Sequence, residues 1–223
     1  MKKRTSPNFD HRPVDVTIDM LVFHYTGMPT ASLALERMCD QASEVSAHYM
    51  VDEDGSIWTL VEEADRAWHA GVAYWRGNTN INARSIGIEI VNPGHQFGYC
   101  AFSGKQMKSV IDLALDVLSR NPIPMQNVVG HSDIAPTRKI DPGEFFDWER
   151  LAGLGIGLWP SQADHLEQDL NALAYALKRI GYDTSNFSMA LKAFQRHYRP
   201  NRVTGRFDPE TSRLIIGLSQ IIG

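Results

Sequence analysis

Residues 130–143, Gly-His-Ser-Asp-Ile-Ala-Pro-Thr-Arg-Lys-Ile-Asp-Pro-Gly, constrain the fold more than any other stretch of this chain. Pro136, Pro142 and Gly143 argue against regular helix, so a shaped loop is expected after the short apolar strand Val128-Val129. That loop gathers His131, Lys139 and Asp141 within a few residues. Histidine and carboxylate are both zinc ligands, and a third is available upstream, where the buried-strand pattern Leu21-Val22-Phe23 ends in His24. Two histidines and an aspartate leave the fourth tetrahedral position to water, as in catalytic rather than structural zinc sites.

Five motifs follow one another in a familiar order: Phe-His-Tyr-Thr at 23–26, Ala-Trp-His-Ala-Gly at 67–71, Asn-Ala-Arg-Ser-Ile-Gly-Ile-Glu-Ile at 82–90, Gly-His-Ser-Asp at 130–133 and Lys-Ile-Asp-Pro-Gly at 139–143. Through most of residues 15–150 the chain resembles the zinc-dependent N-acetylmuramoyl-L-alanine amidases of the type 2 amidase and peptidoglycan-recognition fold. The resemblance implies an α/β domain with a central mixed sheet flanked by helices, a Zn2+ cofactor, and a peptidoglycan or muropeptide substrate. It also implies the scissile bond, between N-acetylmuramic acid, including its 1,6-anhydro form, and the L-alanine of the stem peptide.

The 223 residues accommodate that domain and a smaller one, and a net charge of −4 gives no electrostatic footprint for nucleic acid. No stretch approaches the ~18 apolar residues of a membrane span. The basic start Met-Lys-Lys-Arg lacks a following apolar run, so a cytoplasmic location is expected, or a periplasmic or cell-wall one if an export signal has been removed. Cys39 and Cys100 fit no metal spacing and are expected to be free thiols.

Along the chain, residues 1–14 suggest an extended arm, 18–25 a central strand, and 31–40 a helix with Leu33, Ala34 and Met38 on one side. Residues 45–52 and 57–60 read as a hairpin turning at Asp54-Gly55, with His48 as a half-buried strand histidine and not a ligand. Residues 61–84 lack any period and are rich in Trp, Gly, Asn and Arg, which suits a groove wall for a glycan. There the resemblance implies substrate contacts by His69 and, less directly, Trp75 and Asn82. In 85–91, Ile86, Ile88 and Ile90 alternate with Ser85, Gly87 and Glu89, placing Glu89 opposite the isoleucines. Ser103 begins a capping-box pattern before a helix carrying Met107, Val110, Ile111, Ala114, Leu115 and Leu118, and a short helix is expected within 144–151.

Glycines at 153, 155 and 157 and Trp159-Pro160-Ser161 mark a linker, dividing the chain into 1–157 and 158–223. Three helices are expected beyond it: one with Leu166, Leu170, Leu173, Leu177 and Ile180, one with Leu191, Phe194 and Tyr198, and one opened by Asp208-Pro209. Ile180-Gly181-Tyr182-Asp183, Ala193-Phe194-Gln195 and the run 204–211 make this tail similar to the three-helix peptidoglycan-binding domain appended to wall hydrolases.

With zinc on His24, His131 and Asp141, Glu89 is the candidate general base and proton donor to the leaving nitrogen, and Lys139 the candidate cation near the developing oxyanion. Two readings compete: a non-catalytic peptidoglycan sensor on the same fold, and a phage or secreted amidase acting on intact wall instead of soluble muropeptides.

Overall fold

The computed structural model describes residues 1–223. Its strands are β1 (Lys2–Lys3), β2 (Phe9–His11), β3 (Met20–Tyr25), β4 (Tyr49–Val51), β5 (Ile57–Thr59), β6 (Asp65–Ala67), β7 (Ser85–Ile90) and β8 (Val128–Gly130). Its helices are α1 (Ala31–Cys39), α2 (Ile81–Arg84), α3 (Gly94–Phe97), α4 (Gly104–Arg120), α5 (His131–Ile134), α6 (Trp148–Gly153), α7 (Leu170–Ile180), α8 (Phe187–Tyr198) and α9 (Pro209–Ile222).

Six strands form one mixed sheet in the order β1-β5-β4-β7-β3-β8, with only the β4–β5 pair antiparallel. The two longest, β3 and β7, lie side by side at its centre, as their apolar content requires. Their register sets Leu21 beside Ile86, Val22 beside Gly87 and His24 beside Glu89, so each strand shows one matched set of side chains to each face.

One face is wholly apolar. Leu21, Phe23, Ile86, Ile88, Ile90 and Val128 meet Val110, Ile111, Ala114 and Val117 of α4. Ser103 caps α4 as expected, accepting from the Gln106 N–H. Gln106 does not close the capping box; its amide donates instead to Val51 O and Val91 O, fastening the helix to two strands. Leu115 is turned outward, and Val117 takes a core place instead.

The other face carries two separate covers. Over β4 and β5, α1 buries Ala34, Leu35 and Met38 against Ala47, Met50 and Leu60, with Leu33 left exposed. Over β3 and β8, Met20, Val22 and Val129 pack into one cluster with Leu173, Leu177, Ile180, Tyr182, Phe194 and Ile215 of the C-terminal helices. The tail therefore shares a continuous core with the sheet. Its three helices are capped by Asp169, Asn186 and Asp208, the last as anticipated, although Leu166 precedes α7 and Leu170 faces solvent.

The N-terminal arm is tied in as well. β1 extends the sheet edge, β2 pairs with β6, and the Arg12 guanidinium donates to the carbonyls of Glu63, Asn82, Ala83 and Ser85. The terminal helix of the first unit lies later than expected, at Trp148–Gly153 capped by Asp147. Both cysteines are free thiols. No helix is long and apolar enough to cross a membrane.

Candidate metal centre and active-site cleft

Parallel strands in an α/β sheet deliver their side chains to the crevice beyond their carboxyl ends. Here three neighbouring strands do so together: β7 brings Glu89, β3 brings His24, and β8 runs directly into His131. Asp141 returns from the loop after α5, its carbonyl accepting the Ser132 N–H at 2.8 Å. His24 Nδ1, His131 Nδ1 and Asp141 Oδ2 converge, at 2.9 Å between the two nitrogens and 3.2 and 3.0 Å from each to the carboxylate. All three residues are buried, and these atoms form a group able to hold one metal ion.

The opposite ring nitrogens explain the orientation. His131 Nε2–H donates to Ala70 O at 3.0 Å, which leaves its Nδ1 as the unprotonated atom. His24 Nε2–H donates to His69 Nδ1 at 3.0 Å, His69 Nε2–H donates to Ser85 Oγ at 3.1 Å, and the Ser85 hydroxyl donates to Ile81 O at 2.7 Å. The relay consumes both nitrogens of His69, which is 8% exposed. His69 both lines the cleft and holds the far nitrogen of His24. The alternation in β7 accommodates this arrangement, since Ser85 ends the relay and Glu89 reaches the cluster. Between them Gly87 leaves room for the His69 ring, which a Cβ would meet at 2.5 Å.

Electrostatics favour the ligating forms. Burial, aided by His131, pushes the His24 imidazole down to about 4, so it is neutral near pH 7. For Asp141, burial acts upward but is outweighed by His131 and His24, which hold the carboxyl below its usual range. Neutral imidazoles and an ionised carboxylate are what a divalent cation binds. Glu89 differs: burial, reinforced by Asp141, raises its carboxyl well above the ordinary value, against the pull of the Lys139 ammonium. Its Oε1 lies 4.0 Å from His24 Nδ1, and its Oε2 is buried without a hydrogen-bond partner. A carboxylate with a spare acceptor beside a metal-capable cluster suits proton transfer.

The cluster floors a cleft of about 650 Å³ between α1 and the 131–141 loop, lined also by Tyr25, Arg37, Trp68, His95, Arg138 and Lys139. Arg138 braces one wall by donating to Ala70 O and Val72 O. Two residues expected there lie elsewhere. Trp75 is 2% exposed and packs edge-on against Tyr182, its indole N–H donating to Gln126 O, so it belongs to the core beneath the C-terminal helices. Asn82 spends its side-chain oxygen on the backbone N–H groups of His69 and Ala70, anchoring the segment that carries the relay. His48 is fully buried just before β4, with its Nδ1 accepting the Gly87 N–H.

Comparison with known proteins agrees with this geometry. A family model described as N-acetylmuramoyl-L-alanine amidase matches residues 14–144, and a peptidoglycan binding domain model matches 161–215. Over 234 residues the chain is 38% identical to N-acetylmuramoyl-L-alanine amidase AmiD of Escherichia coli (strain K12), spanning 92% of this chain and 84% of that protein. It is 36% identical over 163 residues to 1,6-anhydro-N-acetylmuramyl-L-alanine amidase AmpD of Haemophilus influenzae, spanning 65% of this chain and 86% of the relative. The structure of AmiD from E. coli in complex with anhydro-N-acetylmuramic acid-L-Ala-D-gamma-Glu-L-Lys aligns with a TM-score of 0.84 and 35% identity, covering 95% of this chain and 93% of that one. With a family model over more than half its length and a relative matched nearly end to end, the chain belongs to the N-acetylmuramoyl-L-alanine amidase family.

Proposed function

We propose that this protein is a zinc amidase that releases stem peptides from anhydro-muropeptides, with His24, His131 and Asp141 as the metal ligands. The convergence of three buried ligand atoms with Glu89 beside them carries this reading. Bound there, zinc supplies Lewis acidity, lowering the pKa of water and polarising a carbonyl oxygen. Glu89 accepts the proton of the attacking water through its unpartnered oxygen and passes it to the departing amine of L-alanine. The raised affinity of Glu89 for a proton, set by burial and Asp141 against the pull of Lys139, assists that acceptance. The Lys139 ammonium, inside the cleft, stabilises negative charge gathering on the scissile carbonyl oxygen.

The relatives act on, or are bound to, anhydromuramyl peptides, which supports the same substrate class here. Residues 1–157 form the catalytic unit in this reading and 158–223 the wall-binding unit. Compartment follows from substrate: inside the cytoplasm only soluble muropeptides are met, whereas an exported enzyme meets the wall. Fractionation of cells producing the native protein distinguishes these locations.

Mass spectrometry after incubation with anhydro-muropeptide, and separately with intact wall, tests the function. Free stem peptide is expected from the zinc-loaded protein and not after chelation. Absence of product from folded, zinc-loaded protein would support the sensor reading instead.

A further inference from the structure

We propose that the C-terminal helical unit is part of the catalytic apparatus, because it holds the turn that presents His131. This rests on the metal-site reading above. The link is Asp133, two residues after His131 and 1% exposed. Its carboxylate accepts three hydrogen bonds, each of 2.7 Å: from the Gly130 N–H and His197 Nδ1–H to Oδ2, and from the Tyr182 hydroxyl to Oδ1. Gly130 and Asp133 bracket the entry to α5. Tyr182 follows α7 and His197 lies on α8, so two donors cross from the C-terminal helices into the metal-bearing turn.

Each donor is itself immobilised. Tyr182 is fully buried, edge-on to Trp75 and Phe194. The His197 ring stacks on Trp148 at 3.8 Å and on Tyr198 at 3.9 Å, with planes within 17° and 14°. Space around the turn is as tight: a Cβ at Gly130 would meet Pro142 at 2.7 Å and Trp148 at 3.2 Å. Pro142 follows the ligand Asp141, and Ser132 N–H holds Asp141 O. Any rotation of the Asp133 carboxylate therefore moves both the backbone entering His131 and the segment carrying Asp141. A buried carboxylate stripped of two of its three donors must find water or other partners, which it can do only by turning.

Tyr182 and His197 are thus positioning residues, acting on His131 through Asp133. A unit serving only to tether the enzyme to wall would have no effect on a small soluble substrate. Through Asp133 this unit has one.

The test compares full-length parent, Tyr182→Phe, His197→Leu and His197→Asn, whose amide N–H can replace the Nδ1 donor. Zinc affinity is measured by chelator competition, ligand geometry by the visible spectrum of the cobalt-substituted protein, and turnover with soluble anhydro-muropeptide. Wall binding is measured by co-sedimentation with sacculi, and folding by thermal melts. Tyr182→Phe and His197→Leu are expected to weaken metal binding and lower kcat by about 10-fold, the lower end for outer-shell partners, with KM and wall sedimentation unchanged and the cobalt bands altered. His197→Asn should recover most of the loss. Parent-like metal affinity and cobalt spectra in folded Tyr182→Phe and His197→Leu would overturn the proposal; if Tyr182→Phe does not fold, the His197 pair decides. Failure of the parent itself to bind zinc would instead remove the metal-site reading.

Discussion

The two faces of the central sheet are built from the same strands and serve opposite purposes. On the α4 face, alternate residues of β3 and β7 supply only hydrocarbon, and the packing is uniform from Leu21 to Ile90. On the other face the pattern changes along the strand: Met20 and Val22 are core, then His24 is a candidate ligand, while β7 shows Ser85, Gly87 and Glu89. Burying that second set is tolerable because nearly every polar atom has a partner. The exception, Glu89 Oε2, is the atom proposed to take a proton. An apolar face thus needs only shape, whereas the polar face needs a complete list of partners, drawn from four parts of the chain.

The sharpest way to break the comparison is to mutate β7 on both sides. Glu89→Gln keeps shape and burial and is expected to lower kcat by about 100- to 10,000-fold, the usual contribution of a general acid–base group, with the melting temperature little changed. One residue away, Ile88→Ala points into the α4 face and should do the reverse. It should cost ~2–5 kcal/mol of stability in denaturant unfolding, while activity per folded molecule stays near parental.

Between these extremes lies Gly87→Ala. Its new Cβ would strike the His69 ring, so His24 is expected to tilt and metal affinity to fall by about 10- to 100-fold in chelator competition. Ser85→Ala removes the acceptor for His69 Nε2–H and should produce a smaller loss of the same kind, of ~0.5–1.5 kcal/mol in stability or metal binding. Unchanged metal affinity in both variants would show that the relay does not orient His24.

The last expected effect is on pH dependence. Burial, together with the Arg12 guanidinium, pushes His48 from its ordinary 6.5 down to about 3. The unfolded chain therefore takes up a proton below pH 6.5 that the native state refuses until near pH 3. The stabilisation is complete above pH 6.5 and lost as pH falls through that window. Thermal melts of metal-free protein from pH 7.5 to 4.5 should show this decline, with a shallower slope in His48→Gln; an equal slope would assign it to His24 and His69, whose shifts have the same sign.

Much of the polar face was visible in the linear chain. The histidine closing an apolar strand, the Pro- and Gly-shaped loop with its histidine and aspartate, and the alternation at 85–90 each follow from local rules of period and turn chemistry. His69, Trp75 and Asn82 were less legible. Their setting is an aperiodic segment, where composition indicates aromatic and amide groups but not which way they face. Trp75 and Asn82 turn to the core and to the backbone of the relay segment, while His69 joins the relay and also lines the cleft. Leu33 and Leu115 show the same limit on helices, where a stripe one position off is equally periodic.

The sequence by itself determined the donor set, the strands that carry it and the helical character of the tail, because these depend on residue type and on neighbours a few positions away. Only the tertiary structure decided what Asp133 does and what the tail is packed against. Its partners Tyr182 and His197 lie 49 and 64 positions later in the chain. No period or turn rule reaches that far; the partners meet only when an apolar sheet face and three amphipathic helices bury each other.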